Sequence, residues 1–517
     1  LNMKKRRLFS LLLAAAMSLA LVSCGNGGDT SGNGTADGGN ASQVDADGDG
    51  YKDTVKLAIS TDPNLDPWLT GMAYDLNVGR QIYDPLFREG ENGEVEPWLA
   101  EGYEMVDDTH IKLTLRKGVK FHDGNELTTK DVKFFLDNIE SNASAASRFV
   151  CYDTANTEII DDYNMVVALK YPYAEGVYLM TRMYIPSSAA FESMGADKFA
   201  TAPVGTGPYK MTRWDTASEI ELDRFDEYWN GPAATPKLLF RVIPEASSRM
   251  IELETGGVDF AYSISTSDYD RVKETEGLTL VEGDSSLFTS LTFSMQEPLF
   301  ENKDVRYALC YAIDKQFLID TCYGGYYTIM DTIYPKMLFG AEEVGTVPFD
   351  PDKAKELMVQ AGYPDGFDIT LHVVGEAEKR VCEAIQSMWL QYLNVRAEII
   401  QMDYVNFEAA GNKYQAAVRT GAATNLTSAL VIYKTSFGRT LQVNDQYLND
   451  LVEASDQQTD PAKRLEMVQE IQEYVYDQRY QMAIANAPMV YAMNDKAEGF
   501  EFDIFGAPFL ATFRVGV

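Results

Sequence analysis

The chain has 517 residues, of which 45% are hydrophobic and 12% aromatic. At roughly 150 residues per domain, this length predicts two or more structural units. The 44 basic and 78 acidic side chains give a net charge of −34, which argues against a protein that wraps nucleic acid or lies on anionic lipid through its own surface. The apolar content is also too high for a disordered acidic chain, so the composition indicates a folded, acidic protein.

The first 23 residues have the pattern of a bacterial lipoprotein signal peptide. A basic cluster at residues 4–7 precedes an apolar run at residues 8–22, which is too short to cross a ~30 Å hydrocarbon core. The run ends in Leu-Val-Ser-Cys at residues 21–24, which resembles the lipobox whose cysteine receives a diacylglycerol. We therefore expect cleavage before Cys24 and lipid attachment at Cys24, on the extracytoplasmic face of the cell membrane. An ordinary signal peptide cleaved elsewhere is the alternative.

Residues 24–50 predict a flexible tether, because they contain nine glycines and no aromatic residue and cannot offset the entropy cost of ordering. At its end, four aspartates follow the spacing of positions 1, 3, 5 and 9 of a calcium loop: Asp45, Asp47, Asp49 and Asp53. Position 12, where a glutamate closes such a loop, is Lys56. A calcium site is therefore one alternative and a solvated acidic linker is the other, and no other cofactor is expected.

From residue 51 onward, strand-like and helix-like patterns alternate, which indicates a mixed α/β fold. The first predicted elements are a strand at 54–60, a helical pattern at 76–87 up to Pro85, a strand within 110–121 and a helix at 129–139. Thr128 or Thr129 is the candidate N-cap of that last helix.

The second half of the chain contains a clear βαβ pattern. Asp350, Pro351 and Gly362 mark the beginning and end of one helix. The elements that follow are a strand at 367–374, a long helix at 376–393, a strand at 395–402, a helix at 461–477 and one strand-like run at 481–495. A strand, a helix of about five turns and a second strand predict parallel pairing.

Sequence signals for an enzyme are weak. The four cysteines after Cys24 have neither zinc-like nor framework spacing, although a bridge between Cys310 and Cys322 stays open. His110 and His372 lie in strand patterns and His122 in a turn, and no zinc-protease, serine-hydrolase or phosphate-loop motif is present. No catalytic residue is therefore predicted. A secreted hydrolase that uses carboxylates distant in sequence stays open.

Several segments resemble, in order, the extracytoplasmic solute-binding proteins of ABC transporters, family 5, which include oligopeptide, dipeptide and nickel receptors. The longest is residues 97–139, beginning Pro-Trp-Leu-Ala-Glu-Gly-Tyr. The others are residues 64–68, 81–87, 203–215, 225–231, 302–319 and 349–366. The resemblance covers nearly the whole chain after the signal peptide.

The resemblance implies an α/β fold of two lobes that close on a ligand, as in class II periplasmic binding proteins. It places lobe one at residues 51–283 plus 492–517, with an extra subdomain at about 91–202, and lobe two at residues 284–491. Ligands would lie in the cleft between the lobes, where closure removes water.

The resemblance also suggests ligand-contacting residues. The turn after the first strand lines the cleft in the family, which points to Trp68 and to the residues that follow it as far as Tyr74. The loop Gly205, Thr206 and Gly207 lies on the lobe-one side, where two glycines suit a tight turn. Peptide receptors carry a Trp and an Asp in a lobe-two loop, but the matching residues 414–433 contain no Trp, Asp or Glu, and Arg419 is their only charged residue.

The resemblance implies a lipid-anchored receptor that captures a solute and delivers it to ABC permease subunits, without chemistry and without nucleic acid. Because an ammonium group needs a carboxylate partner in a desolvated cleft, we expect either a peptide-like solute anchored elsewhere or a non-peptide, anionic or carbohydrate, ligand. A guanidinium at Arg419 would suit the second class. A sensory or adhesive surface protein on the same scaffold is a further alternative.

Overall fold

The computed structural model describes residues 45–517 except 47, 69–72, 91–93, 404–405, 408–413, 424, 435–440, 442 and 504–505. The predicted signal peptide, Cys24, most of the tether, Asp47 and residues 69–72 therefore lie outside the described residues. None of the helices that are described is both long enough and apolar enough to span a bilayer.

A seven-stranded sheet forms the centre of what we call lobe one. Its strand order is Leu278–Gly283, Met489–Asn494, Phe260–Ala261, Thr54–Ile59, Lys237–Val242, Glu219–Arg224 and Tyr209–Asp215. The predicted first strand is confirmed and is central: Leu57 pairs in parallel with Phe240 on one side and Phe260 on the other. The helix Ala73–Ile82 contributes Leu76, Val78 and Ile82 to the same core.

A six-stranded sheet forms the centre of lobe two. Its strand order is Thr328–Ile329, Gln481–Asn486, Leu287–Phe293, Ala416–Ala422, Asp368–Val374 and Arg396–Met402. The predicted βαβ unit is confirmed, since Leu371 pairs in parallel with Ile399 and the helix Glu376–Leu393 lies between the two strands in sequence. Trp389 of that helix is fully buried.

An antiparallel four-stranded sheet forms the extra subdomain of lobe one, in the order Ala100–Asp107, His110–Leu115, Asn164–Leu169 and Tyr152–Ile159. The helix Thr129–Asp137 packs its Val132, Phe135 and Leu136 into the subdomain core. Thr128, one of the two predicted candidates, is its N-cap, and both the amide and the hydroxyl of Thr128 donate to Asp131.

Two short crossings connect the lobes, at residues 284–286 and 487–488. The run 481–495, predicted as one strand, is two strands that belong to different sheets. Pro488 has no amide hydrogen and cannot continue the strand ladder. The predicted boundary between residues 491 and 492 therefore falls inside the strand Met489–Asn494 of lobe one.

Asn486 connects the two crossings by hydrogen bonds, because its Nδ2 donates to the carbonyls of Ser285 (2.9 Å) and Leu287 (2.7 Å).

The remaining described elements are short strands and helices around these sheets. The strand pairs are Phe87–Glu89 with Val95–Pro97, Ala497–Glu498 with Arg514–Val515, and Glu501–Phe502 with Pro508–Phe509. The other α-helices are Ala143–Arg148, Ser188–Met194, Ala196–Phe199, Ala246–Glu254, Tyr269–Glu274, Lys303–Tyr311, Lys315–Cys322, Pro351–Gln360, Leu426–Leu430, Gln446–Gln457 and Pro461–Gln478. The 3-10 turns are Ile139–Ser141, Tyr178–Arg182, Thr266–Asp268, Pro298–Phe300 and Val431–Tyr433.

Candidate functional site

A cavity of about 670 Å³, which we call the hinge chamber, lies at the two crossings. Its lining comes from Gly283, Asp284, Ser285 and Asn486 at the crossings, from residues 328–332 and 335–337 of lobe two, and from Phe502 and Asp503 of lobe one. Because both lobes contribute walls, any movement of one lobe against the other changes its shape. The volume is within the range of small-molecule sites, roughly 300–1,000 Å³.

A second cavity of about 280 Å³, the outer chamber, lies between the subdomain and lobe two. Lobe one contributes Glu89, Val95, Tyr103, Met105, Ile111 and residues 173–175, 177 and 178, and lobe two contributes Met337, Leu338, Phe339, Asn425, Leu426, Thr459, Pro461 and Arg464. Met337 lines both chambers, so the two chambers are neighbours in the space between the lobes.

Carboxylates dominate the charge of the hinge chamber. Asp503 pairs with Arg80 at 2.9 Å, and both side chains are more than nine-tenths buried. Asp331 pairs with Lys336 at 3.1 Å. The third carboxylate, Asp284, is exposed to the chamber and has no ion pair with any described residue. An incoming cationic group would therefore find an uncompensated negative charge at Asp284.

The outer chamber is mainly apolar, and its charged side chains have partners. Glu89 is buried, accepts a hydrogen bond from the Tyr178 hydroxyl and lies 3.5 Å from the Arg182 guanidinium. Burial raises the pKa of Glu89 to about 7, although Arg182 and Tyr178 act in the opposite direction. Glu89 therefore changes charge close to neutral pH.

One buried ion pair joins the two lobes beside the outer chamber. Glu175 of lobe one lies 3.2 Å from the guanidinium of Arg464 in lobe two. The same carboxylate accepts the backbone N–H groups of Leu426 (3.1 Å) and Thr427 (3.3 Å), at the start of the helix Leu426–Leu430. Next to it, the Ala174 amide donates to the Asp456 carbonyl at 2.8 Å. These contacts require the lobes to be in apposition, so we call this group the closure contact.

Comparison with known proteins identifies the class of molecule to which this cleft belongs. Residues 94–440, more than half of the chain, match the family described as bacterial extracellular solute-binding proteins, family 5 (middle). The chain is a family 5 solute-binding protein.

Individual relatives agree with this family 5 assignment. The glutathione-binding protein GsiB of Salmonella paratyphi A is 29% identical over 476 residues, which covers 87% of this chain and 92% of the relative. The structure of the ABC transporter substrate-binding protein CtaP of Listeria monocytogenes matches with a TM-score of 0.81 at 20% identity, covering 89% of this chain and 99% of that chain. The dipeptide-binding protein of Pseudoalteromonas sp. SM9913 in complex with Met-Leu has a TM-score of 0.76 at 21% identity, covering 89% and 100%. The predicted two-lobed α/β fold is confirmed.

The motif residues of this family 5 protein meet at one buried carboxylate, Asp84. It accepts hydrogen bonds from Trp98 Nε1 (2.7 Å), Thr206 Oγ1 (2.9 Å), Trp229 Nε1 (3.0 Å) and Tyr228 Oη (3.1 Å). These five residues come from four of the segments that carry the family resemblance. Asp84 lines neither chamber. We call this group the Asp84 cluster.

The structure places the predicted contact residues Trp68, Gly205, Thr206 and Gly207 in the interior of lobe one. The Trp68 ring stacks on Phe135 at 5.6 Å, and its Nε1 donates to the Phe135 carbonyl at 2.9 Å. Gly205 and Gly207 pass close to the last carbonyl of the helix Ala73–Ile82, and a Cβ on Gly205 would come within 2.2 Å of the Ile82 oxygen. These packing contacts agree with a structural turn.

Tyr74 and Arg419 also lie away from the described linings of both chambers. Tyr74 is 44% exposed. Arg419 lies in the strand Ala416–Ala422 opposite Ser290, with its guanidinium 5.4 Å from the Phe407 ring. The loop that contains Arg419 does reach the cleft, but through Asn425 and Leu426.

The acidic residues of the hinge chamber were not singled out by the sequence. Asp284, Asp331 and Asp503 are far apart in the chain and each follows or precedes a strand, as many solvated acidic residues do. The three aspartates come together because the fold places residues 284, 331 and 503 around the crossings. The location of a predicted lobe boundary at residue 284 was the one available signal for Asp284.

The predicted calcium loop and the cysteines are described in part. Carboxylates of Asp45, Asp49 and Asp53 accept backbone N–H groups of their own loop, and no group of three metal-ligating side chains occurs among described residues. The calcium prediction also needs Asp47, which lies outside them. All four described cysteines, including Cys310 and Cys322, are buried free thiols.

Proposed function

We propose that this protein is the receptor of an ABC importer, anchored by a lipid on Cys24, that encloses a peptide or peptide-like solute and delivers it to the permease subunits. One observation carries the proposal: a cleft with two chambers lies between two lobes that the chain connects through two short crossings, in a member of the family 5 solute-binding proteins. Closure around the solute would exclude water and strengthen every polar contact inside.

The hinge chamber supports a solute with a free ammonium group. A carboxylate is the preferred partner of an ammonium in a partly desolvated site, and Asp284 is available for that role. This arrangement would replace the acidic residue that residues 414–433 do not contain. The names of two similar proteins, one glutathione-binding and one dipeptide-binding, favour the same solute class. Arg419, in contrast, is not among the described lining residues of either chamber, so we do not assign it a solute contact.

The outer chamber supports the binding of an apolar side chain of the solute. Its walls include Tyr103, Met105, Leu338 and Phe339, whose burial against an apolar group contributes about 25 cal/mol per Å². Because the closure contact borders this chamber, filling the chamber and forming the Glu175–Arg464 pair would favour the same closed state.

The binding proposal is tested by calorimetry of Asp284→Asn against a panel of free and N-acetylated di- and tripeptides. We expect the wild-type protein to prefer free peptides and D284N to bind them about 10–100-fold more weakly, with the preference lost. Asp352→Asn, on the exposed face of the helix Pro351–Gln360, is the matched control and should behave as wild type. Equal affinity of wild type and D284N for the best free peptide would reject the role of Asp284.

The anchoring proposal is tested separately by detergent partition of the full chain expressed in a bacterium. Cys24→Ser should move the protein from the detergent phase to the aqueous phase, because the thiol that receives the lipid is removed. Partition of the variant into detergent at the wild-type level would contradict lipid attachment at Cys24.

Recovery of bound solute in an intact form distinguishes a receptor from a hydrolase.

A further inference from the structure

A third and much smaller cavity lies in lobe two, next to the hinge chamber. Its volume is about 20 Å³, which is enough for one water molecule or one monatomic ion. Met330 and Thr332 line both this cavity and the hinge chamber. The cavity therefore lies directly against the segment 330–332, which forms one side of the proposed solute site.

Two buried cations line this cavity. Lys315 is 8% exposed and Arg479 is 4% exposed. The Lys315 ammonium donates to the Met330 carbonyl at 3.0 Å, which is its one hydrogen bond to a described residue. The Arg479 guanidinium lies 3.8 Å from the Tyr476 ring and donates to the Tyr307 hydroxyl at 3.3 Å. Each cation thus has neutral partners.

No carboxylate of the described residues compensates these two charges within 4.0 Å. Asp331, in the adjoining wall, pairs with Lys336 on the hinge-chamber side instead. Cys310 does not supply a negative charge either, because burial raises the pKa of its thiol to about 11. Arg479 Nε is buried and has no hydrogen-bond partner.

Burying two cations without a counter-charge is expensive, at several kcal/mol per ion even after relaxation. Burial lowers the pKa of Lys315 to about 8, so the ammonium remains mostly protonated at neutral pH and the charge persists. A small anion in the cavity would offset both charges and satisfy the unpartnered Nε–H. Because the space holds about one water-sized particle, a monatomic anion is the simplest anion that it would accommodate.

We propose that this cavity binds one chloride ion between Lys315 Nζ and Arg479 Nε. The proposal is independent of which solute occupies the cleft. A bound chloride would hold the segment 330–332 in place from behind and stabilise the folded state by linkage. The competing occupant is a water molecule, which could also accept from Arg479 Nε while donating to the unpartnered Oε1 of Gln481.

The first test is urea unfolding in sodium chloride and in sodium gluconate at equal ionic strength. We expect the unfolding midpoint to rise with chloride to a plateau and to stay unchanged with gluconate. Lys315→Met should abolish the chloride effect. Lys336→Met, which removes a 58%-exposed lysine of the hinge chamber, should retain it and so excludes chloride binding in the cleft as the cause. Identical wild-type midpoints in both salts would overturn the proposal.

The second test does not depend on the folding of a variant. Wild-type crystals soaked in sodium bromide should show an anomalous-scattering peak between Lys315 and Arg479, because bromide replaces chloride. Density at that position without anomalous signal would identify a water molecule and overturn the chloride site.

Discussion

The Asp84 cluster and the hinge chamber both contain acidic side chains, but the two regions use them in opposite ways. Asp84 is buried and accepts four side-chain hydrogen bonds from segments that carry the family 5 resemblance. Asp284 is exposed to a cavity and has no ion pair with a described residue. The family motifs therefore specify how lobe one is assembled, whereas solute recognition falls to residues outside the motifs.

The largest effect should come from Asp84→Ala. Four donors would lose their common acceptor, two on buried residues (Thr206 and Tyr228) and two on half-buried tryptophans (Trp98 and Trp229). Each unpaired buried donor costs about 1–3 kcal/mol, so we expect a loss of about 4 kcal/mol in the free energy of unfolding. Urea denaturation measures this loss. Solute affinity of the fraction that remains folded should change little, since Asp84 lines neither chamber. A variant of wild-type stability would show that the Asp84 cluster does not hold lobe one together.

The closure contact should give the next largest effect. Arg464→Met would leave the Glu175 carboxylate buried without its cation, which costs about 3–5 kcal/mol in comparable buried pairs. We expect weaker solute binding together with a smaller compaction on binding, measured by calorimetry and small-angle X-ray scattering. The double variant Glu175→Gln/Arg464→Met should recover part of the loss, because the uncompensated charge is removed. Wild-type solute affinity in R464M would show that the Glu175–Arg464 pair does not contribute to closure.

The pH dependence of stability should show a smaller effect from Glu89. Its pKa is raised to about 7 in the folded protein, whereas an unfolded glutamate titrates near 4.3. The folded state therefore binds the extra proton between these values, and the stabilisation is lost as pH rises from about 4.3 through 7, by up to about 4 kcal/mol.

Comparing wild type with Glu89→Gln isolates this contribution. His122 acts in the opposite sense, since burial lowers its pKa to about 4 and protonation of the unfolded chain below about 6.5 favours unfolding. The difference in unfolding free energy between the two proteins should become more favourable to E89Q as pH rises towards 8. A difference that does not vary between pH 5 and pH 8 would show that Glu89 keeps an ordinary pKa.

The smallest effect is expected from Arg419→Ala. Arg419 lies outside the described linings of both chambers, so solute affinity should stay within about twofold of wild type, as measured by calorimetry. A tenfold or greater loss would restore Arg419 as a solute contact and would favour an anionic ligand.

Much of the fold could be predicted from the sequence, because local signals and long-range packing agree in several elements. The helix Glu376–Leu393 and the parallel strands on either side of it match their predicted ranges closely. Asp350 caps its helix by accepting the Lys353 amide at 2.9 Å. The prediction of a single strand at 481–495 was wrong because the apolar pattern is continuous, whereas the two halves of the run join different sheets. The position of the crossing at residues 487–488 determines this division.

Far less of the site could be predicted. The resemblance drew attention to Trp68 and to Gly205–Gly207, whose side chains and close backbone approaches build the interior of lobe one. Asp284, Asp331 and Asp503 lie more than 40 residues apart in sequence and carry no pattern that distinguishes them from solvated aspartates. Their shared position depends on the geometry of the two crossings, which local sequence does not encode.

Native mass spectrometry of protein purified without unfolding tests the central claim most directly. The proposed function predicts a co-purifying, intact compound that carries a free amino group, is released on denaturation, and is retained poorly by Asp284→Asn but normally by Asp352→Asn. A retained compound without any basic nitrogen, or one held equally well by D284N, would contradict the account of the hinge chamber as the site of ammonium recognition.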